Sequence, residues 1–144
     1  MTIKRILEEK GRDVTTLGSD VTLAQVAEIL SEKRIGAIVL LENDGSIAGI
    51  VSERDIVRVV GRSGPDSLKQ SVKDAMTPKV VTCSEDLTVD QALMLMTERR
   101  FRHLPVTDEN GSLCGFISIG DVVKRKISDA EAEASQMRDY IHTT

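Results

Sequence analysis

The sequence predicts an α/β protein built from two tandem βαββα repeats related by a pseudo-twofold axis. Three observations predict it. The stretch "GSIAGIVSERD" at 45–55 returns as "GSLCGFISIGD" at 111–121, 66 positions on. At that offset Val14, Thr16, Asp20, Thr22, Gln25, Glu32, Arg34, Gly45, Ser46, Gly49, Ser52, Asp55 and Val57 each meet an identical residue. Finally, a unit of roughly 45 residues is too small to bury both faces of its own sheet, so two units must share a core.

The elements follow in order. Each repeat begins with an extended stretch. Leu23, Val26, Ala27 and Leu30 are then spaced as one face of an amphipathic helix, and Val89, Ala92, Leu93 and Met96 repeat that face. Two β-rich runs follow, "AIVLL" and "IAGIV", parted by the turn "ENDGS"; their second copies are "LPVT" and "LCGFI" around "DENGS". A second helix opens in "SERDIVRVV" and again in "SIGDVVKRK". The organisation expected is a first repeat with an N-terminal helical segment over 1–60, a Gly/Ser/Pro linker over 61–71 and a second repeat over 72–127. A C-terminal helix or tail covers 128–144, all in one globular module. "VKDAMTP" reads as a short helical turn ended before Pro78. The last stretch reads as a helix capped by Ser128, with an apolar stripe through Ala132, Met137 and Ile141.

Composition narrows the function. The formal charge is −4 and there is no basic block, which argues against gripping a nucleic-acid backbone. Phe101, Phe116 and Tyr140 are the only aromatics, too few for a base-stacking platform. No apolar run approaches the ~20 residues of a membrane span. The opening "MTIKRILEEKGRD" carries charges within its apolar pattern, unlike a signal peptide. Cys83 and Cys114 show no metal-ligand spacing, and a reducing cytoplasm is the expected compartment.

In both repeats a strand ends in Ser-x-x-Asp as a helix begins. One reading is a helix cap, with Ser52 or Ser118 as cap and Asp55 or Asp121 in the first turn. The other uses the same geometry for binding. A helix N-terminus offers N–H groups, and a carboxylate there can accept two hydrogen bonds from a ribose diol. Gly49 and Gly115, three residues earlier, would let a ligand approach the backbone.

The two halves, "RIGAIVLLENDGSIAGIVSERDIV" and "FRHLPVTDENGSLCGFISIGDVV", resemble a CBS (cystathionine β-synthase) domain pair, also called a Bateman module. The resemblance covers about residues 14–127. It implies two βαββα repeats joined through their sheets, and a regulatory role: binding AMP, ADP, ATP, NAD(H) or S-adenosylmethionine and reporting it to a partner, here an unknown regulated protein. It implies clefts that mix the repeats. One would use Ser52 and Asp55 with Val81, Thr82, Cys83, Phe101, His103, Leu104 and Pro105. The other would use Ser118 and Asp121 with Thr15, Thr16, Ile35, Ala37 and Ile38. Arg102 and His103 match the family's phosphate-facing basic residues; the first repeat has Gly36 and Ala37 there, and Arg54 is the expected substitute, reaching from across the pseudo-twofold axis. The resemblance, together with apolar helix faces too broad for one sheet layer, implies a homodimer.

Other residues receive plainer readings. His142 lies in a fraying tail, Cys114 is a small apolar strand residue, Met94 and Met96 fill the core, and Arg99 and Arg100 end a solvated helix. Cys83 is weighed for a redox role. Three function classes stand: a nucleotide-sensing regulatory module, favoured; a structural or assembly module with empty clefts; and an enzyme, disfavoured because no Ser/His/Asp set, metal cluster or Gly-rich phosphate loop is present. No catalytic cofactor, nucleic acid or membrane partner is expected.

Overall fold

Thr22 and Thr88 start the same helix twice. Each hydroxyl accepts the amide of the residue three on, Gln25 or Gln91, and each Gln side chain reaches back to the Thr amide. This reciprocal cap satisfies two donors that a helix start otherwise leaves open. In the computed structural model of the chain, which describes residues 1–143, those helices are Leu23–Lys33 (α2) and Val89–Arg99 (α4). Both end in an arginine with left-handed backbone, Arg34 at φ 53° and Arg100 at φ 57°.

The chain divides into two compact units, residues 13–81 and residues 1–12 with the chain from Thr82 onward. In the first, strand β1 (Thr16–Gly18) runs parallel to β2 (Ala37–Leu41), which pairs antiparallel with β3 (Ile47–Ser52). Helix α3 (Glu53–Ser63) follows. The core joins Leu23, Val26 and Leu30 of α2 to Ile38, Leu40, Ala48, Val51, Ile56 and Val72. The second unit opens with α1 (Ile3–Lys10), whose Ile3, Ile6 and Leu7 are buried. Its strands β4 (His103–Thr107) and β5 (Leu113–Ser118) pair antiparallel, with Cys83 bridging to Val106 in the place of β1. Helix α5 runs unbroken from Ile119 to Thr143. The repeat architecture read from the sequence is the architecture observed.

The compact units cut the chain elsewhere than the repeat boundaries at 60 and 72. The stretch 61–71 is packed rather than a loose connection. Helix α3 continues to Ser63, a 3₁₀ turn follows at Pro65–Lys69, and Ser67 is buried with its hydroxyl donating to the Gly64 carbonyl at 2.6 Å. Leu68 packs this stretch against the residue 13–81 core, and just beyond it Val72 joins that core with Ala75 and Met76 packed on it. The turn expected in "VKDAMTP" is a 3₁₀ turn, Val72–Asp74.

The N-terminal helix, in turn, lies with the second repeat. Its first amides donate to that repeat's chain, Ile3 to the Leu87 carbonyl at 2.9 Å and Lys4 to Glu85 at 3.0 Å. Each repeat's outer strand thus receives a cover from the segment leading into the other. In one unit Thr77 exchanges backbone hydrogen bonds with Ile50 of β3, at 3.1 and 2.8 Å. In the other, the Lys10 ammonium donates to the carbonyl of Phe116 on β5 at 2.9 Å. An edge strand so occupied is not a template for further pairing.

Three local expectations are corrected. Ser128 caps nothing: it lies inside α5, because no Gly or Pro interrupts the helix formers from Asp121 onward. Met94 is exposed on α4, off the face that buries Val89, Ala92 and Met96. Gly49 and Gly115 do admit a close approach, but by protein. A Cβ on Gly49 would lie 2.7 Å from the Thr77 carbonyl oxygen, and one on Gly115 would lie 2.7 Å from a Leu7 methyl.

Candidate functional site

Each Ser-x-x-Asp sits where an outer strand hands over to a helix, and each forms a reciprocal cap. At the first, Asp55 Oδ2 accepts the Ser52 amide at 2.9 Å and the Ser52 hydroxyl at 3.0 Å, while the Asp55 amide donates to Ser52 Oγ at 3.3 Å. The Arg58 guanidinium donates to Oδ1 at 3.0 Å. At the second, Asp121 Oδ2 accepts the Ser118 amide at 2.8 Å, and the Asp121 amide donates to Ser118 Oγ at 3.1 Å. Lys10 Nζ donates to the same Oδ2 at 2.7 Å.

The two carboxylates differ in what they still offer. The Asp55 side chain is 11% exposed and has both oxygens engaged. That of Asp121 is 26% exposed, and its Oδ1 has no hydrogen bond among the described residues. A carboxylate has about four acceptor positions, so Asp121 keeps a whole oxygen for a pair of donors. Burial pushes the Asp121 carboxyl up, but the Lys10 ammonium and the Ser118 amide and hydroxyl outweigh it and hold the group below the usual aspartate range.

The ladders bring the starts of β2 and β4 each beside the Ser-x-x-Asp of the same repeat. Ala37 pairs with Ser52, and the Glu53 amide donates to the Gly36 carbonyl at 2.9 Å. His103 pairs with Ser118, and the Ile119 amide donates to the Arg102 carbonyl at 2.8 Å. Ala37, Ile38, Leu104 and Pro105 have buried side chains, whereas Ile35, Gly36 and Phe101 are half-buried. The His103 ring stacks on Phe116, with centroids 5.5 Å apart and planes 14° apart. Thr15 and Thr16 are half-buried at β1, with the Thr15 carbonyl accepting the Val39 amide at 3.4 Å. Thr82 and Arg102 are exposed, and Val81 is half-buried.

Cys83 is half-buried, its amide donating to the Pro105 carbonyl at 3.1 Å and its carbonyl accepting from Thr107. Burial, with a smaller contribution from Cys114, pushes its thiol up to about 11. A thiol so far from ionising at neutral pH is a poor nucleophile, which argues against a redox role.

Two site residues escaped the sequence reading. Arg54, the expected phosphate-facing cation, is exposed; the carboxylate of Asp55 is held by Arg58, one helical turn further on. Its (i, i+3) spacing from Asp55 was a legible signal. Lys10 had none, because it lies 111 positions from Asp121. The counterpart of Arg58 in the second repeat is Lys124, but the ammonium that neutralises Asp121 is that of Lys10.

Comparison with known proteins agrees with this doubled arrangement. The CBS domain profile matches residues 4–62 and 72–128. The crystal structure of a CBS-domain containing protein from Agrobacterium tumefaciens superposes with a TM-score of 0.83 at 50% identity, covering 87% of this chain and 92% of that one. A CBS domain protein from Pyrobaculum aerophilum, solved in complex with AMP, matches with a TM-score of 0.74 at 28% identity, covering 84% of this chain and 89% of that one. A mitochondrial CBS domain-containing protein of Arabidopsis thaliana is 30% identical over 148 residues, 97% of this chain and 71% of its own length. This chain spans 58% and 62% of the length of two further curated relatives, from Methanopyrus kandleri and Acidianus ambivalens. The repeated fold, the doubled Ser-x-x-Asp and the profile match over both halves agree: the chain belongs to the CBS domain family and carries two CBS domains.

Proposed function

We propose that this CBS pair is a regulatory module that binds an adenosyl ligand, AMP or ATP or the adenylate half of NAD(H), and passes the bound state to a separate partner. The observation that carries the reading is the open Oδ1 of Asp121. It stands at the N-terminus of α5, beside the first strand of its repeat, where a ribose diol can donate twice. Asp55 plays the corresponding part in the first repeat, with Arg58 in place of Lys10 as the neighbouring cation. The base is read by backbone groups beside Gly36 and Arg102, consistent with a chain so poor in aromatics. The AMP complex of the Pyrobaculum relative supports the choice of adenylate.

Titration calorimetry of the full chain with AMP, ATP, NADH and GMP tests this. Adenylates bind and GMP binds at least tenfold more weakly, since fixed backbone donors discriminate the base edge. Asp121→Asn removes one binding event. Equal affinity for AMP and GMP refutes the adenine assignment. No heat with any of the four favours the assembly reading, in which Arg58 and Lys10 are permanent partners of the two carboxylates.

A further inference from the structure

Helix α5 is 25 residues long, and every residue from Ala130 to His142 is exposed. Three turns of helix with solvent on all sides are marginal alone. Their apolar residues are not scattered. Val123, Ile127, Ala130, Ala134, Met137 and Ile141 follow one another at intervals of four and three, the alternation that keeps one seam facing a neighbouring helix. All six are exposed, with Ile127 53% and Met137 59% accessible. The stripe expected through Ala132 is therefore displaced: Ala132 lies on the opposite side.

We propose that this seam pairs with the same seam of a second copy, in parallel, as a short two-stranded coiled coil. The flanking charges choose both the occupant and the direction. With Ile127, Ala134 and Ile141 at a and Val123, Ala130 and Met137 at d, the g positions hold Lys126, Glu133 and Tyr140 and the e positions hold Lys124, Glu131 and Arg138. A parallel pair sets each g against the e five residues on in the other helix. Lys126 then meets the partner's Glu131, and Glu133 meets the partner's Arg138. By symmetry each pair forms twice. The antiparallel alignment with the same seam buried sets Glu131 against the partner's Glu131, Glu133 against the partner's Glu133, and Lys124 against the partner's Arg138. Both parallel charge pairs join opposite charges, and all three of these antiparallel ones join like charges. Ala130 and Ala134 at the centre let the helices approach closely. Lys126 at present pairs with Asp90 at 2.7 Å, a contact exposed enough to exchange.

The full chain tests this, because all the altered seam residues are exposed. Sedimentation equilibrium at micromolar concentration shows a dimer. Ile127→Lys with Met137→Lys raises its dissociation constant roughly a hundredfold, with far-UV circular dichroism unchanged in the rest of the fold. Glu133→Arg alone sets like charges together and weakens the dimer roughly tenfold, and adding Arg138→Glu restores it. Ala134→Cys, in a background with Cys83→Ser and Cys114→Ser, gives a disulfide-linked dimer in air, because symmetry places the two a residues at the same level. A monomer, a dimer indifferent to Ile127→Lys with Met137→Lys, or a dimer that Ala134→Cys fails to cross-link overturns the proposal.

Discussion

Replacing Lys10 by Met isolates one charge at one carboxylate. The Met side chain preserves the apolar stem, and Ile3, Ile6 and Leu7 still dock α1. What is lost is the ammonium at 2.7 Å from Asp121 Oδ2 and 2.9 Å from the Phe116 carbonyl. Lys10 is 40% exposed and Asp121 26%, so the pair is only partly screened by solvent and belongs near the top of the range for surface pairs. With the carbonyl contact added, the loss at neutral pH is about 1 kcal/mol. Its pH dependence has a definite sign. Asp121 is held below its unfolded value of about 3.9, so its stabilisation is present above that value and disappears as pH falls through the lower, folded one. Urea unfolding of parent and variant therefore differs by about 1 kcal/mol at neutral pH, and the gap narrows in acid to the part owed to Phe116. Carboxyl NMR of Asp121 records its pKa rising in the variant. A gap of the same size in acid, or an Asp121 titration indifferent to Lys10, refutes the reasoning.

Two further outcomes follow from the same geometry. Gly49→Ala destabilises by ~2–3 kcal/mol and Gly115→Ala by about half as much, read as shifts in urea midpoint. The first Cβ meets a backbone carbonyl oxygen that cannot turn aside, whereas the second meets a leucine methyl that can. Cys83 resists alkylation near pH 8 in the folded protein, and its rate climbs as pH approaches 11, because burial withholds the thiolate; peptide mapping of alkylated protein measures it.

Local chemistry was legible in the sequence where it repeats. The Thr22–Gln25 and Thr88–Gln91 caps, the strand pairs around "ENDGS" and "DENGS", and the Ser-x-x-Asp boxes all depend on residues within a few positions of one another. Arg58 was legible by the same logic, one helical turn after Asp55, and went unread. Ser128 misled for a physical reason. Ser-Asp-Ala-Glu is a good cap signature, but a cap needs a helix break before it, and none precedes Ser128. The rest was illegible because its partners are far apart in the chain. Nothing near Lys10 announces Asp121, and nothing near Gly49 announces Thr77. Periodicity identifies the apolar face of α1, yet says nothing of which repeat it covers.

The exchange of leading segments determines what could be cut out and passed on. A gene fragment ending at the repeat boundary near 71 would encode β1, β2 and β3 without Val72, Met76 and Thr77, and would carry an α1 whose docking surface it lacks. A fragment from Asp13 to Val81 is continuous and brings its own core and edge cover. The compact unit is therefore out of phase with the duplication. Inherited as two like halves, the chain divides into compact units along a different frame, and recombination at the visible repeat border would separate each sheet from its cover.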